Sequence, residues 1–448
     1  MSDRSSRRLP FVSVLVLLLG ASCAVDQAAE VATYRRVLDG DKPPEVAPFT
    51  ANDELDLERA MALANSHNET LVLQGEDYLQ ALIDENRAAA AFLPTVSLNP
   101  SFNASHATGG IGTKTQQNLP LDASINLFRG FQDISRMASS AATSEQRREL
   151  LLDAQASLML SVAQTFYQIL RSEQSSVVLT SSLKLQAERL RDIRARQKLG
   201  IAKPLDVAQT EADEAAAQVA LLQADSDARN GRAMIAFLIG VPRVDGKLVD
   251  LLSAPETVAD LEEFDGEAKA NRRDFLASHS AVEAAQHDVD TAFRQHYPSI
   301  NLSASYIIAQ APSFGSVWNL ALSGLIPIFN AGLIHDDVRT AWSRYRQAAA
   351  SESLLARQIS QDVQVAYENF ETSHNKVAQL KTEVTAAQRA YDLSDRSYQL
   401  GGASNLDRLT AQNTLLTSQL QLTSEQFNLK VFYLDLLRIA GTSLRASP

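Results

Sequence analysis

Two periods alternate along the chain. From Asp53 to about Ala91 the apolar residues Leu55, Leu57, Ala60, Met61, Ala64, Leu71, Tyr78 and Leu82 fall at helical spacing. Pro94 ends that run. From Thr95 to Ser105 the period drops to two: Val96, Leu98, Pro100, Phe102 and Ala104 alternate with Ser97, Asn99, Ser101 and Asn103. This predicts a strand of about eleven residues (95–105) with one apolar and one polar face. After the turn-rich stretch TGGIGTKTQ, residues 118–128 alternate again, Leu119, Leu121, Ala123, Ile125 and Leu127 against Asn118, Asp122, Ser124 and Asn126, so the pair predicts a hairpin. Beyond Gly130 a helical pattern without glycine or proline runs to about Leu199. At 1.5 Å per residue such a helix would be a rod of roughly 100 Å. Gly200 breaks it, and Pro204 opens another helix at its first turn. In that helix Leu205, Ala208, Ala212, Ala215, Val219 and Leu222 predict a heptad seam made largely of small side chains.

The second half repeats the first. Helical pattern from about Gly266 to His296 stops at Pro298; strands are predicted at 299–309 (Ile300, Leu302, Ala304, Tyr306, Ile308) and 317–328 (Trp318, Leu320, Leu322, Ile326, Ile328). A second glycine-free rod runs from Leu333 to Leu400, and a last helix reaches Gly441. KLGIAKPLD at 198–206 matches QLGGASNLD at 399–407 at a constant offset of 201, and Gly200 to Gly240 and Gly401 to Gly441 are both spaced 40. The organisation read from this is a signal peptide at 1–22, an irregular tether at 23–50 and one repeat at 51–242. A linker at 243–265, a second repeat at 266–441 and a tail at 442–448 complete the chain.

Strands of this length suit a tilted crossing of a bilayer, and their two faces suit a barrel with lipid outside and water inside. Four strands cannot close a pore, and open edges are not tolerated in hydrocarbon. The chain is therefore expected to supply a share of a barrel completed by other copies. A soluble α+β protein whose hairpins face a core on one side is the bland alternative; it leaves the rods without a purpose.

Charge and composition narrow the chemistry. Lys plus Arg number 41 against 53 Asp plus Glu, a net charge of −12 across 448 residues, so a nucleic-acid footprint is not expected. The start of the chain reads as an address: Arg4, Arg7 and Arg8, the apolar run FVSVLVLLL at 11–19, then Gly20, Ala21 and Ser22 before Cys23. Cys23 is the one cysteine, which excludes a disulfide framework within the chain. Its setting resembles a bacterial lipobox, implying an acylated N-terminal cysteine, although Gly20 stands where that pattern has an aliphatic residue. Ordinary cleavage leaving an incidental cysteine is the other reading. No catalytic constellation is evident: His279, His287 and His296 lack a carboxylate at metal-ligand spacing, and Gly109, Gly110 and Gly112 lie between strands, where a phosphate cradle does not form. No cofactor is expected.

DLERAMALANSHN at 56–68, RGF after the first hairpin, FNAG after the second and LGxxxxLD present twice together resemble the TolC-like outer-membrane efflux channels. The resemblance covers essentially residues 53–441. It implies a mixed α and β membrane fold: a homotrimer whose four strands per chain make a twelve-stranded transmembrane β-barrel, continued by a long periplasmic α-helical barrel. It also implies a lipid-anchored conduit in the bacterial outer membrane, working with a periplasmic adaptor and an inner-membrane pump. A proton-driven resistance-nodulation-division system for small molecules is favoured there over a type I protein secretion channel. From another class, a secreted coiled-coil structural protein would explain the rods but not the strands.

By the same resemblance Asp407 forms a three-fold acidic gate ring, with Leu406 or Leu409 adding an apolar constriction and Thr410 standing where a second acidic ring occurs in the family. Asp206 and Tyr398 are expected to link the hairpins in the closed state, without the arginine that Ala403 replaces. Asp206 as a helix-start residue favoured by the helix dipole is the simpler account. The tips Leu199, Gly200, Ile201 and Leu400, Gly401, Gly402 are expected to meet the adaptor.

Overall fold

The structure is a computed structural model that describes residues 25–40, 48–106, 113–312 and 317–442; Cys23 and the signal segment lie outside the described residues. The rods are α4 (Gln132–Lys198) and α8 (Leu333–Gln399), 67 residues each, preceded by α1 (Gln27–Asp39), α2 (Leu57–His67), α3 (Glu69–Ala90), α6 (Leu261–Asn271) and α7 (Arg273–Phe293). Each rod folds back on a 35-residue helix, α5 (Pro204–Leu238) or α9 (Asn405–Ile439). α4 packs on α5, α3, α7 and α9, so the two hairpins lie side by side.

Helix α1 corrects the reading of 23–50 as an irregular tether. Its signals are local and lie before Pro43, Pro44 and Pro48, the residues that make the stretch read as irregular. Asp26 caps it, accepting from the Ala28 and Ala29 N–H groups at 3.0 and 3.2 Å, and Gly40 ends it at φ +73°. Tyr34 and Leu38 share one face and are buried with Leu71 and Leu151. The close approach needs Gly75, because a Cβ there would lie 2.4 Å from the Tyr34 ring.

The first strand is divided into β2 (Thr95–Leu98) and β3 (Ser101–His106), both pairing with β4 (Thr113–Arg129); β1 (Leu55–Asp56) and β5 (Leu248–Val249) form a separate two-residue parallel bridge. Pro100, with no N–H to donate, marks the division. The sheet continues through β6 (Ser299–Ala311) to β7 (Trp318–Leu325), antiparallel throughout. Its register sorts the faces. Val96, Ala123, Ala304 and Leu320 stand in one row, and Leu98, Leu121, Tyr306 and Trp318 in the next on the same face; Ser97, Asp122, Ser305 and Asn319 line up on the other face. None of the described side chains of this sheet is buried, and β2/β3 and β7 are open edges.

Two left-handed residues in succession turn each hairpin into its rod: Gly130 (φ +59°) with Phe131 (φ +64°), and Ala331 (φ +53°) with Gly332 (φ +84°). The αL conformation is costly for a residue with a Cβ, so the elbows are places where the fold imposes itself on the chain. Gly130 is doubly required, since a Cβ there would sit 2.6 Å from the Tyr297 Cβ and 2.8 Å from the Arg294 carbonyl oxygen. Midway along the rods, the main core packs Phe166, Tyr167, Ile169, Leu63 and Ile235 from α4, α2 and α5.

The seam expected on α5 is not used within the chain. Leu205, Ala208, Ala212, Ala215, Val219 and Leu222 are exposed, while Val207, Thr210, Ala217, Ala224, Gly231 and Ile235 are the buried row. Heptad spacing marks a stripe without saying whether the same chain or another copy covers it.

Candidate gate and docking surface at the helix-hairpin tips

Both rods end in the same hydrogen-bonded stop. In the first, the Gly200 N–H donates to the Gln197 carbonyl and the Ile201 N–H to that of Arg196, both at 2.9 Å; in the second, Gly401 donates to Tyr398 at 3.1 Å and Gly402 to Ser397 at 2.8 Å. These are Schellman stops, and they need a left-handed residue, supplied by Gly200 at φ +74° and Gly401 at φ +79°. Leu199, Ile201 and Leu400 are each more than two-thirds exposed. Exposed apolar side chains thus cluster at the end of each long rod.

The helices leaving the tips start on acidic residues. Asp407 is held in a reciprocal cap: its carboxylate accepts from the Ser404 hydroxyl at 2.6 Å and the Ser404 N–H at 2.9 Å, while its own N–H donates to the Ser404 hydroxyl at 3.1 Å. The Ser404 hydroxyl, then its N–H, holds the Asp407 carboxyl below the usual carboxylate range. Asp206 accepts from the Lys203 N–H at 3.1 Å. Leu406 is 56% exposed, whereas Leu409 is only 4% exposed and lies inside the chain's own packing, so of the two only Leu406 can face an opening.

The expected side-chain link between Asp206 and Tyr398 is not made. Asp206 is spent on its own helix start, and Tyr398 packs with Leu190, Ile193 and Val207 while its ring lies 4.0 Å from the Arg408 guanidinium carbon. Asp206 joins the second hairpin through its backbone: Asn405 Nδ2 approaches the Asp206 carbonyl and the Thr210 hydroxyl, each at 3.5 Å. The stronger ties are ones that sequence reading missed. Arg189 on α4 donates to the Tyr391 hydroxyl on α8 and lies 3.5 Å from Asp395. Arg408 donates to Asn405 at 3.0 Å and lies 3.9 Å from Asp395. Arg408 was within view, immediately after Asp407 in the LGxxxxLD match, but one helical step turns it about 100° away from its neighbour and into the protein.

Elsewhere, a cavity of about 540 Å³ opens where α1, α2 and α4 meet the end of α9, lined among others by Met61, Asn65, Asp153, Arg272 and Arg438. It lies by the main core, away from the tips. The histidines take separate partners: His279 meets Glu352 at 3.0 Å and His296 the Phe293 carbonyl at 3.0 Å.

Comparison with known proteins places this architecture. The sequence matches the Outer membrane efflux protein family over residues 61–241 and 266–442. It is 25% identical over 364 residues to the outer membrane efflux protein BepC of Brucella suis biovar 1, covering 80% of this chain and 79% of that one. It is 28% identical over 382 residues to the pyoverdine export outer membrane protein OpmQ of Pseudomonas aeruginosa, covering 81% and 77%. Among solved structures, the outer membrane protein VceC of Vibrio cholerae superposes with a TM-score of 0.77 at 19% identity, covering 86% of this chain and 96% of that one. The outer-membrane channel OprN gives 0.79 at 20%, covering 91% and 95%. The fold with its two rods, the exposed antiparallel sheet and the sequence match over both halves agree: this chain belongs to the outer membrane efflux protein family.

Proposed function

We propose that the chain is one third of a passive outer-membrane channel for small molecules in a tripartite efflux system. The observation that carries this reading is the sheet. It has a mainly apolar face, a mainly polar face interrupted by Pro120 opposite Ile307, two open edges and no described buried side chain. In water such a sheet would be an aggregation site on both edges; inside a closed barrel of three copies, twelve strands in all, its apolar rows face lipid and its polar rows face the lumen. The two halves of the chain are structural repeats in this reading, and the exposed α5 stripe is covered by a neighbouring copy. The rods cross the periplasm, Cys23 carries the lipid anchor, and the tips at Leu199–Ile201 and Leu400–Gly402 receive a periplasmic adaptor coupled to an inner-membrane pump. Three Asp407 carboxylates, each kept ionised by Ser404, line the periplasmic mouth beside Leu406 and favour cations over anions.

Detergent extracts of outer membranes tested by unheated gel electrophoresis and planar-bilayer recording decide the matter. A heat-sensitive trimer that inserts as a cation-selective channel is expected. Recovery as a soluble monomeric rod without conductance would defeat the proposal.

A further inference from the structure

The exposed sheet is almost free of charge. Strands β2, β3, β4, β6 and β7 hold three residues among Asp, Glu, Lys and Arg, all on β4: Lys114, Asp122 and Arg129. Residues 107–112 and 312–317, which join the strands of each hairpin, hold none. The register puts all three on the polar face. Asp122 stands between Ser97 and Ser305, Lys114 opposite Ser105, and Arg129 opposite Ser299 beyond the irregularity at Asn126/Phe128. At about 3.4 Å per residue, Lys114 is roughly 27 Å along the strand from Asp122 and Arg129 roughly 24 Å. Arg129 is in addition paired with Asp133 at 3.4 Å. Asp122 is therefore a lone charge in mid-strand, surrounded by serine and asparagine. The Asn99 side-chain amide donates to its carboxylate at 2.8 Å, and the Asn99 N–H donates to the Pro120 carbonyl at 3.2 Å. An asparagine at 122 would accept the same bond, so the bond does not account for the charge.

We propose, resting on the channel reading above, that three copies of Asp122 form a second cation-favouring ring inside the β-barrel, in series with Asp407 at the periplasmic mouth and independent of it. Twelve strands about 4.8 Å apart and tilted about 40° close at a radius of about 12 Å, which puts three inward carboxylates about 9 Å from the axis. At that range in water they enrich monovalent cations on the axis roughly fivefold when the screening length is about 30 Å, near 0.01 M salt, and hardly at all when it is about 3 Å, near 1 M. The ring acts as a field across a wide lumen. It sorts small ions by charge and does not hold them.

The test is the reversal potential of the full protein, purified in detergent and inserted into planar bilayers, under potassium chloride gradients centred at about 0.01 M and at about 1 M. Asp407→Asn should keep a preference for potassium over chloride at low salt. Adding Asp122→Asn to it should cut the remaining permeability ratio roughly two- to fivefold. At high salt the single and double variants should agree in permeability ratio and in conductance, because the field is screened and the barrel is unchanged. Glutamate at the same place, Asp122→Glu, should restore the low-salt preference. A low-salt ratio unmoved by Asp122→Asn, a change of equal size at high salt, or no rescue by Asp122→Glu would overturn the proposal and leave the channel reading standing. A parent protein that forms no channel would defeat the channel reading, and this ring with it.

Discussion

Replacing Gly75 by alanine should release α1 from the body. The new methyl would lie 2.4, 2.7 and 2.8 Å from Cδ2, Cγ and Cε2 of Tyr34, closer than packed carbons approach. An aromatic ring cannot bend away, and Tyr34 is buried against Leu71 and Leu151, so relief comes from moving α1. Overpacking of this kind costs roughly 1–3 kcal/mol, and because α3 is helical whether or not α1 is docked, alanine's helix preference does not offset it. A loss of about 1–3 kcal/mol multiplies the undocked population roughly 5- to 140-fold. Trypsin reports it at Arg35 and Arg36, since Arg35 is tied down in the docked state by the Asn65 and Ser66 carbonyls at 2.7 and 3.0 Å. When docking is fast relative to cleavage, the cutting rate follows the open population and should rise by the same factor. Gly266→Ala is the control, because nothing lies within 4 Å of a Cβ there, and it should leave cleavage at Arg35 unchanged. In a Tyr34→Ala background the ring is gone and Gly75→Ala should add nothing. A parental cleavage rate in Gly75→Ala, or an undiminished effect without the ring, would refute the steric argument.

Three further outcomes are expected. Asp407 has its carboxyl depressed by Ser404, so the charge it contributes is present above the ordinary carboxylate range and is lost only as pH falls through the lowered value; cation selectivity, read as a reversal potential in a salt gradient, should fail at higher pH in Ser404→Ala than in the parent. Phe166, fully buried in the main core, should cost roughly 3–5 kcal/mol when cut to alanine, seen as a lowered thermal midpoint without loss of the elbows or tips. Gly130→Ala adds a backbone clash to a positive φ, whereas Gly200→Ala meets positive φ with open space around it; the first should lower the unfolding midpoint clearly more than the second, and equal losses would contradict the packing at Tyr297.

The rods, their stops and the alternating strands were legible because each rests on local chemistry: glycine-free helical spacing, a glycine where the chain must turn left-handed, period two over a membrane's width. Helix α1 was legible as well, in Asp26 and Gly40, but Pro43, Pro44 and Pro48 drew attention to the stretch after it. The tip network was not. Arg189, Tyr391, Asp395 and Arg408 are ordinary polar residues on polar helices, and only the packing of two hairpins decides which of them lose contact with water. Asp206 shows the converse. A motif position suggested a partner across the seam, and the nearest unsatisfied N–H of its own helix took the carboxylate first.

The equal lengths of the paired helices, 67 with 67 and 35 with 35, restrict how this protein can change size. One residue inserted into α4 alone would lower everything below it by about 1.5 Å and rotate it by about 100° relative to α8. The two tips would no longer be level, and Arg189 would swing away from Tyr391. Adding residues to a rod without adding them to its return helix would pull the hairpin out of register with the elbow above. A longer or shorter version must therefore alter all four helices together, by steps close to seven residues that restore the facing side. The span of the molecule is a quantity that point insertions cannot tune.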